Sequence, residues 1–310
     1  MRILVIGAGA VGGYFGGRLA AAGRDVTFLV RATRAEQLRP TGLKIFDPYG
    51  DVEVQPKLLT AEELKARPEA FDLIVVSTKA YSLESAMEDF APAVGSATAI
   101  LPLLNGMRHL DALDVRFGAE KVLGGTTYVV ADLDAEGGVH SMTALHDLNF
   151  GERDKRATER IKAIEAELAG AGFDVRLRED VVATMWQKWT LLASLGAITC
   201  LMRGSIGAVA AAPGGEETAR AIIAECVAIA TANGYPPQDA ELYAASVQRL
   251  TAPGSELTAS MYRDLMKGAR VEADHILGDL LRRGRERGVR TPLVSAAYAQ
   301  LSVYSAAIKK

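Results

Sequence analysis

The sequence predicts an α/β N-terminal domain followed by an all-α C-terminal domain, and three observations carry that expectation. Short β-rich runs alternate with helical patterns through the first half, the rhythm of a parallel sheet with crossover helices. A glycine-rich loop, GAGAVGGYFGG (7–17), sits directly between the first of those runs and the first helical pattern. After about Glu179 strand signals stop and helical periodicity continues to the end. The expected boundaries are therefore 1–179 for the first domain and 180–310 for the second.

Taken in order, strands are expected at RILVIG (2–7), DVTFLV (25–30), DLIVVST (72–78) and TAILPLL (98–104). Each is a short apolar run rich in β-branched residues. Further β-rich runs at KVLGGTTYVVA and HDLNFGE, with EGG (136–138) as a hairpin turn, should add antiparallel members to the sheet. An amphipathic helix at 154–172 closes this half. Helices follow at 181–202, 215–234, 238–251, 259–287 and 292–308. They are separated by RGS (203–205), NGYPP (233–237), TAPGS (251–255) and GVRTP (288–292), the Gly and Pro punctuation of helix ends.

With 310 residues, 49% of them apolar, the chain can build two cores. A net charge of −3, evenly spread, gives no electrostatic reason to expect nucleic acid or an anionic membrane as partner. The one basic run, RRGRERGVR (282–290), reads as a solvated helix C-terminus favoured by the helix dipole. Two cysteines without C-x-x-C spacing fit a reducing cytoplasm. The glycine spacing argues against reading the first residues as a signal peptide, and no apolar stretch of about 18 residues is present to span a bilayer. The apolar helix 294–308 could bury against the chain or a second subunit, so a homodimer is a possible assembly.

Gly7, Gly9 and Gly12 match G-x-G-x-x-G, a pattern that closes a tight turn, lets backbone approach a pyrophosphate and brings helix onto strand. With the strand before it and the helix after it, the first domain is expected to be Rossmann-like. Gly12, Gly13, Gly16 and Gly17 on one helix would each cost about 1 kcal/mol relative to alanine unless something must come very close. At the end of the second strand, where a carboxylate binding the ribose diol of NAD is usual, stand Arg31 and, one turn on, Arg34. A guanidinium suits a 2′-phosphate, so NADP(H) is the expected cofactor.

In MWQKWTLLASLGAITC (185–200), Lys188 shares a helical face with Val181, Met185, Leu192 and Leu195, so an ammonium interrupts an apolar stripe. Either it snorkels to water or it does chemistry. Glu272 and His275 lie three apart on a helical pattern. A di-iron bundle would need that motif twice with two further glutamates, so no metal is expected.

The chain resembles the ketopantoate reductases (2-dehydropantoate 2-reductases) over essentially its whole length. The likeness runs from GAGAVGG with Arg31 through STKAY (77–81), LLNGM (103–107) and GGTT (124–127) to WQK (186–188) and SMYRDLMKGARVEADHILG (260–278). The resemblance implies an NADP-binding Rossmann domain, a helical substrate domain and an active site in the cleft between them. It implies Lys188 as the catalytic lysine, Glu272 as its acidic partner, and Ser260 and Asn105 as substrate contacts. Cofactor contacts are implied from Gly7, Gly9, Ala10, Val11, Gly12, Arg31, Lys79 and Asn105. The implied reaction is NADPH-dependent reduction of ketopantoate to pantoate, a step of pantothenate biosynthesis. The chemistry suits these types independently: hydride reaching a 2-keto carbon leaves an alkoxide that needs a proton and a nearby positive charge, and lysine supplies both.

The sequence departs from the family pattern where asparagines should stand four and eight residues after the lysine; Leu192 and Gly196 occupy those positions. The substrate wall is thus expected to be more apolar and roomier. A reductase of another 2-keto acid is the alternative, and a non-catalytic NADP-binding sensor a more distant one.

Overall fold

The structure, a computed structural model, describes residues 1–308. Its strands are β1 (Arg2–Ile6), β2 (Asp25–Leu29), β3 (Leu43–Phe46), β4 (Val52–Val54), β5 (Lys57–Leu59), β6 (Phe71–Val76), β7 (Val94–Pro102), β8 (Gly124–Leu133), β9 (Val139–Gly151) and β10 (Asp174–Leu177). Five of them form a wholly parallel sheet in the order β5-β2-β1-β6-β7. Strand β1 lies at its centre, with Ile3 opposite Val26 on one side and Leu73 on the other. Ile3, Leu4 and Val5 are fully buried, as a parallel strand covered on both faces requires. The helices of this half are α1 (Ala10–Ala21), α2 (Ala32–Thr41), α3 (Ala61–Ala66), α4 (Leu83–Phe90), α5 (Arg108–Phe117) and α6 (Glu159–Leu168).

The antiparallel strands expected to extend this sheet instead belong to a second one. In it β9 pairs with β10 and β3 in parallel and with β8 antiparallel, while β4 pairs with β3. The hairpin turn between β8 and β9 falls where EGG predicts it, with Gly137 at φ +86° and Asp134 accepting from Gly138 N through Oδ1 at 2.7 Å. Strands β3, β4, β5 and β10 escape sequence reading because three or four residues are too few to show a period of two.

Two sheets explain the glycines of α1. A Cβ on Gly16 would stand 2.7 Å from the Phe28 ring of the first sheet. One on Gly17 would stand 2.7 Å from Ile45 Cδ1, and one on Gly13 2.9 Å from Val139 Cγ2, both in the second sheet. The helix is held between the sheets by close backbone approach. Polar links add to this: Tyr14 OH meets His146 Nδ1 at 3.1 Å, and the buried Arg18 pairs with Asp47 at 3.1 Å.

The remaining helices are α7 (Val181–Met202), α8 (Ile206–Ala211), α9 (Gly215–Ala232), α10 (Ala240–Arg249), α11 (Ser260–Met266), α12 (Asp279–Glu286) and α13 (Pro292–Ile308). No strand lies among the described residues beyond Leu177. Contacts divide the chain into two units: Met1–Leu104 with His109–Thr184, and Asn105–Arg108 with the residues from Met185 onward. The four residues Asn105–Arg108 thus pack with the helices although the chain around them belongs to the α/β unit.

The continuous helix expected at 259–287 is a correction. Helix α11 stops at a Schellman motif, with Gly268 at φ +70°, Ala269 N donating to Asp264 O at 2.9 Å and Gly268 N to Leu265 O at 3.2 Å. Helical structure resumes at Ala273 with one turn of π-helix, Asp274–Gly278, that runs into α12.

Candidate active site

In the first unit the glycine loop leaves β1 and enters α1. Gly7 takes φ +90°, a conformation that side chains resist, and its N–H donates to Leu29 O at 2.9 Å, extending the pairing of β1 with β2 up to the loop. A Cβ on Gly12 would collide with Ser77 Oγ and with the Gly7 carbonyl, so the loop folds tightly on itself and on the end of β6. Around Gly9, the N-cap of α1, a Cβ would meet nothing within 4 Å. Open space thus faces a helix N-terminus, where Ala10, Val11 and Gly12 bring backbone N–H groups that intrahelical bonding leaves free. This donor set and this opening fit a pyrophosphate.

Arg31 is exposed at the N-cap of α2, just past β2. Arg34 is not equivalent to it. Its guanidinium donates to Ala8 O at 2.9 and 3.1 Å, to Gly137 O at 2.8 Å and to Gln37 Oε1 at 2.6 Å. Sequence spacing offered both arginines for a 2′-phosphate; the structure uses Arg34 as a brace beneath the glycine loop. Lys79 is exposed just after β6, at the start of a short 3-10 turn.

In the second unit Lys188 lies on α7 with only 8% of its surface exposed. It does not snorkel: burial of the ammonium pushes its pKa from 10.5 down to about 7. Its neighbours Met185, Trp186 and Trp189 are buried. Trp189 Nε1 donates to Ile276 O at 2.9 Å, which ties α7 to the π turn. Arg283 of α12 lies 5.8 Å over the Trp189 ring and pairs with the buried Asp279 at 3.0 Å.

Glu272 is half-buried on the short segment just ahead of that turn, and its carbonyl accepts from Ile276 N at 3.0 Å. It is not on a continuous exposed helix face, because the helix is broken before it. The negative charges of Glu272 and Asp279 favour the charged form of His275, yet burial dominates and holds this imidazole below its usual range. The same ring hydrogen-bonds the backbone of Asn105. Asn105 is half-buried, three residues past β7. Ser260 is exposed as the first residue of α11.

Leu192 is half-buried and Gly196 buried on the Lys188 face of α7. The extra room expected at Gly196 is taken by Met261, whose Cε would stand 2.8 Å from a Cβ added there. Three contributors were missed in sequence. Gly106, at φ +80°, follows Asn105 as an N-G turn signal. Trp189 and the brace formed by Arg34 have no local signal. No cluster of metal-ligating residues occurs among the described residues, and no helix there is long and apolar enough to cross a membrane.

Residues 3–155 match the family model for ketopantoate reductase PanE/ApbA, and residues 180–305 match that for its C-terminal domain. An uncharacterized oxidoreductase of Bacillus subtilis (strain 168), YkpB, is 37% identical over 306 residues, covering 99% of each chain. The crystal structure of 2-dehydropantoate 2-reductase from Geobacter metallireducens GS-15 superposes with a TM-score of 0.87 at 29% identity, covering 98% of this chain and 99% of that one. D-mandelate dehydrogenase in a ternary complex with NADH and anilino(oxo)acetate has the same fold, with a TM-score of 0.87 at 22% identity over 100% of this chain and 99% of that one.

Proposed function

The chain belongs to the ketopantoate reductase family of oxidoreductases, and on that premise we propose that it reduces a 2-keto acid with NADPH, 2-dehydropantoate being the first candidate and pantoate its product. The carrying observation is Lys188, an ammonium buried on α7 with a pKa of about 7. Burial on this scale is costly, and it yields an acid matched to neutral pH.

When bound, the cofactor supplies hydride to the keto carbon. Lys188 Nζ donates a proton to the substrate oxygen as its electron pair is freed, and is reprotonated from solvent. Its positive charge also stabilises the developing alkoxide. Glu272 supplies negative charge on the segment that the Trp189–Ile276 bond ties to α7. Ser260 and Asn105 hold the substrate, and Asn105 with Lys79 also reaches the cofactor. Gly7, Gly9, Ala10, Val11 and Gly12 cradle the pyrophosphate. Exposed Arg31, standing where a diol-binding carboxylate would, favours the 2′-phosphate of NADPH.

A second reading, reduction of a different 2-keto acid, is favoured by Leu192 and by Gly196 beneath Met261. These give an apolar wall where a hydroxyl-bearing substrate would find amides in relatives of the family pattern. Steady-state NADPH oxidation with 2-dehydropantoate, ketoisovalerate and an aromatic 2-keto acid separates the two. A preference of about 10⁴ or more for 2-dehydropantoate over ketoisovalerate supports the first, and a preference of tenfold or less supports the second.

A further inference from the structure

His275 is a buried imidazole beside these residues that the proposed chemistry does not use. It sits within the π turn Asp274–Gly278, three residues after Glu272 and one before Ile276, whose carbonyl anchors Trp189. Single π turns recur where a helix is locally re-registered to aim particular groups. This one is held on three sides. Ile276 O binds α7 through Trp189, Asp274 Oδ1 accepts from Tyr298 OH of α13 at 2.8 Å, and the His275 ring binds the Asn105 backbone.

The contact with the Asn105–Gly106 segment is double. The hydrogen bond favours the protonated ring, so the ring N–H donates and the Asn105 carbonyl accepts. Beside it, a Cβ on Gly106 would stand 3.0 Å from His275 Cδ2, 3.1 Å from its carbonyl and 3.3 Å from Nε2. Gly106 at φ +80° lets the backbone lie against the imidazole, and the imidazole in turn fills the space a side chain would need. These contacts lie within the helical unit, to which Asn105–Arg108 belong.

We propose that His275 is a positioning residue: through its hydrogen bond to the Asn105 carbonyl and its packing on Gly106, it fixes the Asn105 side chain for substrate. The inference rests on the reading of Asn105 as a substrate contact. An imidazole is suited to the task because it combines a flat face for a glycine backbone with a donor at its edge. Phenylalanine keeps the face and loses the donor.

The test is a double-mutant cycle on kcat and KM with NADPH and the best 2-keto acid, using His275→Phe, Asn105→Ala and the double variant, with melting curves and NADPH affinity by fluorescence on each. His275→Phe should melt near wild type and bind NADPH within about threefold, while losing roughly tenfold to a hundredfold in kcat/KM. His275→Gln, which retains a donor, should recover part of the loss. The double variant should be no worse than Asn105→Ala alone, because His275 acts through Asn105. Losses that multiply, or a His275→Phe enzyme within twofold of wild type, overturn the inference while leaving the reductase reading intact. A wild type that reduces no 2-keto acid defeats the reductase reading, and the role of His275 with it.

Discussion

At the residue scale the account turns on Lys188. Its pKa is lowered to about 7 in the folded chain and is 10.5 when unperturbed. Protonation is required of a general acid, so kcat/KM should hold at low pH and fall about tenfold per unit above about pH 7, a limb absent from the residual activity of Lys188→Met. That variant should lose roughly 10² or more in turnover with NADPH affinity changed only a few-fold. Stability gives an independent check. Between about pH 7 and 10.5 the unfolded chain holds a proton on this lysine that the folded chain has released, so wild-type stability rises across that window. Lys188→Met should therefore melt above wild type at pH 6, and its advantage should shrink as pH rises through 7 towards 10. The two arginines past β2 make a second pair of tests. Arg31→Ala should weaken NADPH by about 1.5 to 3 kcal/mol and leave NADH nearly unchanged, as calorimetry would measure. Arg34→Ala should lower the melting temperature and weaken both cofactors alike, because its guanidinium braces the Ala8 carbonyl within the loop. Sequence spacing could not separate these roles: both are arginines near one strand end, and what commits Arg34 are carbonyls 26 and 103 positions away.

At the element scale, α1 and α7 are built by opposite means. Helix α1 has almost no side chain where the sheets press on it, so Gly16→Ala and Gly17→Ala should each destabilise by about 1 to 3 kcal/mol, the range for overpacking a tight core, as read from urea melts. The glycines were legible in sequence as a demand for close approach, and that reading stands. That the demand comes from two sheets was not, because β3 and β4 are too short to announce a second sheet. On α7 the limits 181–202 were readable from a long periodic run, and so was the oddity of one lysine within it. The break between α11 and the π turn was missed for a local reason. Periodicity continues across 259–287, and the single warning is Gly268, at the helix C′ position. Further along α7, Leu192→Asn with Gly196→Asn should raise the preference for 2-dehydropantoate over ketoisovalerate. The new side chain at 196 must displace the Met261 terminus, which is flexible enough to yield.

At the scale of the whole molecule, the division into an α/β half and a helical half was legible because parallel strands and long amphipathic helices write different periods. What sequence alone left out is that Asn105–Arg108 pack with the helical half. The proposed reduction assigns the glycine loop and Arg31 to the cofactor, and Lys188, Glu272, Ser260 and Asn105 to the substrate. The most direct test of that account is a product-linked assay, in which NADPH oxidation and 2-hydroxy acid formation are followed together for wild type and Lys188→Met on 2-dehydropantoate and other 2-keto acids. The account predicts one hydroxy acid formed per NADPH consumed by the wild type, and a loss of about 10² or more in the variant. No turnover of any 2-keto acid by the wild type, or turnover by Lys188→Met within a few-fold of it, would contradict the account.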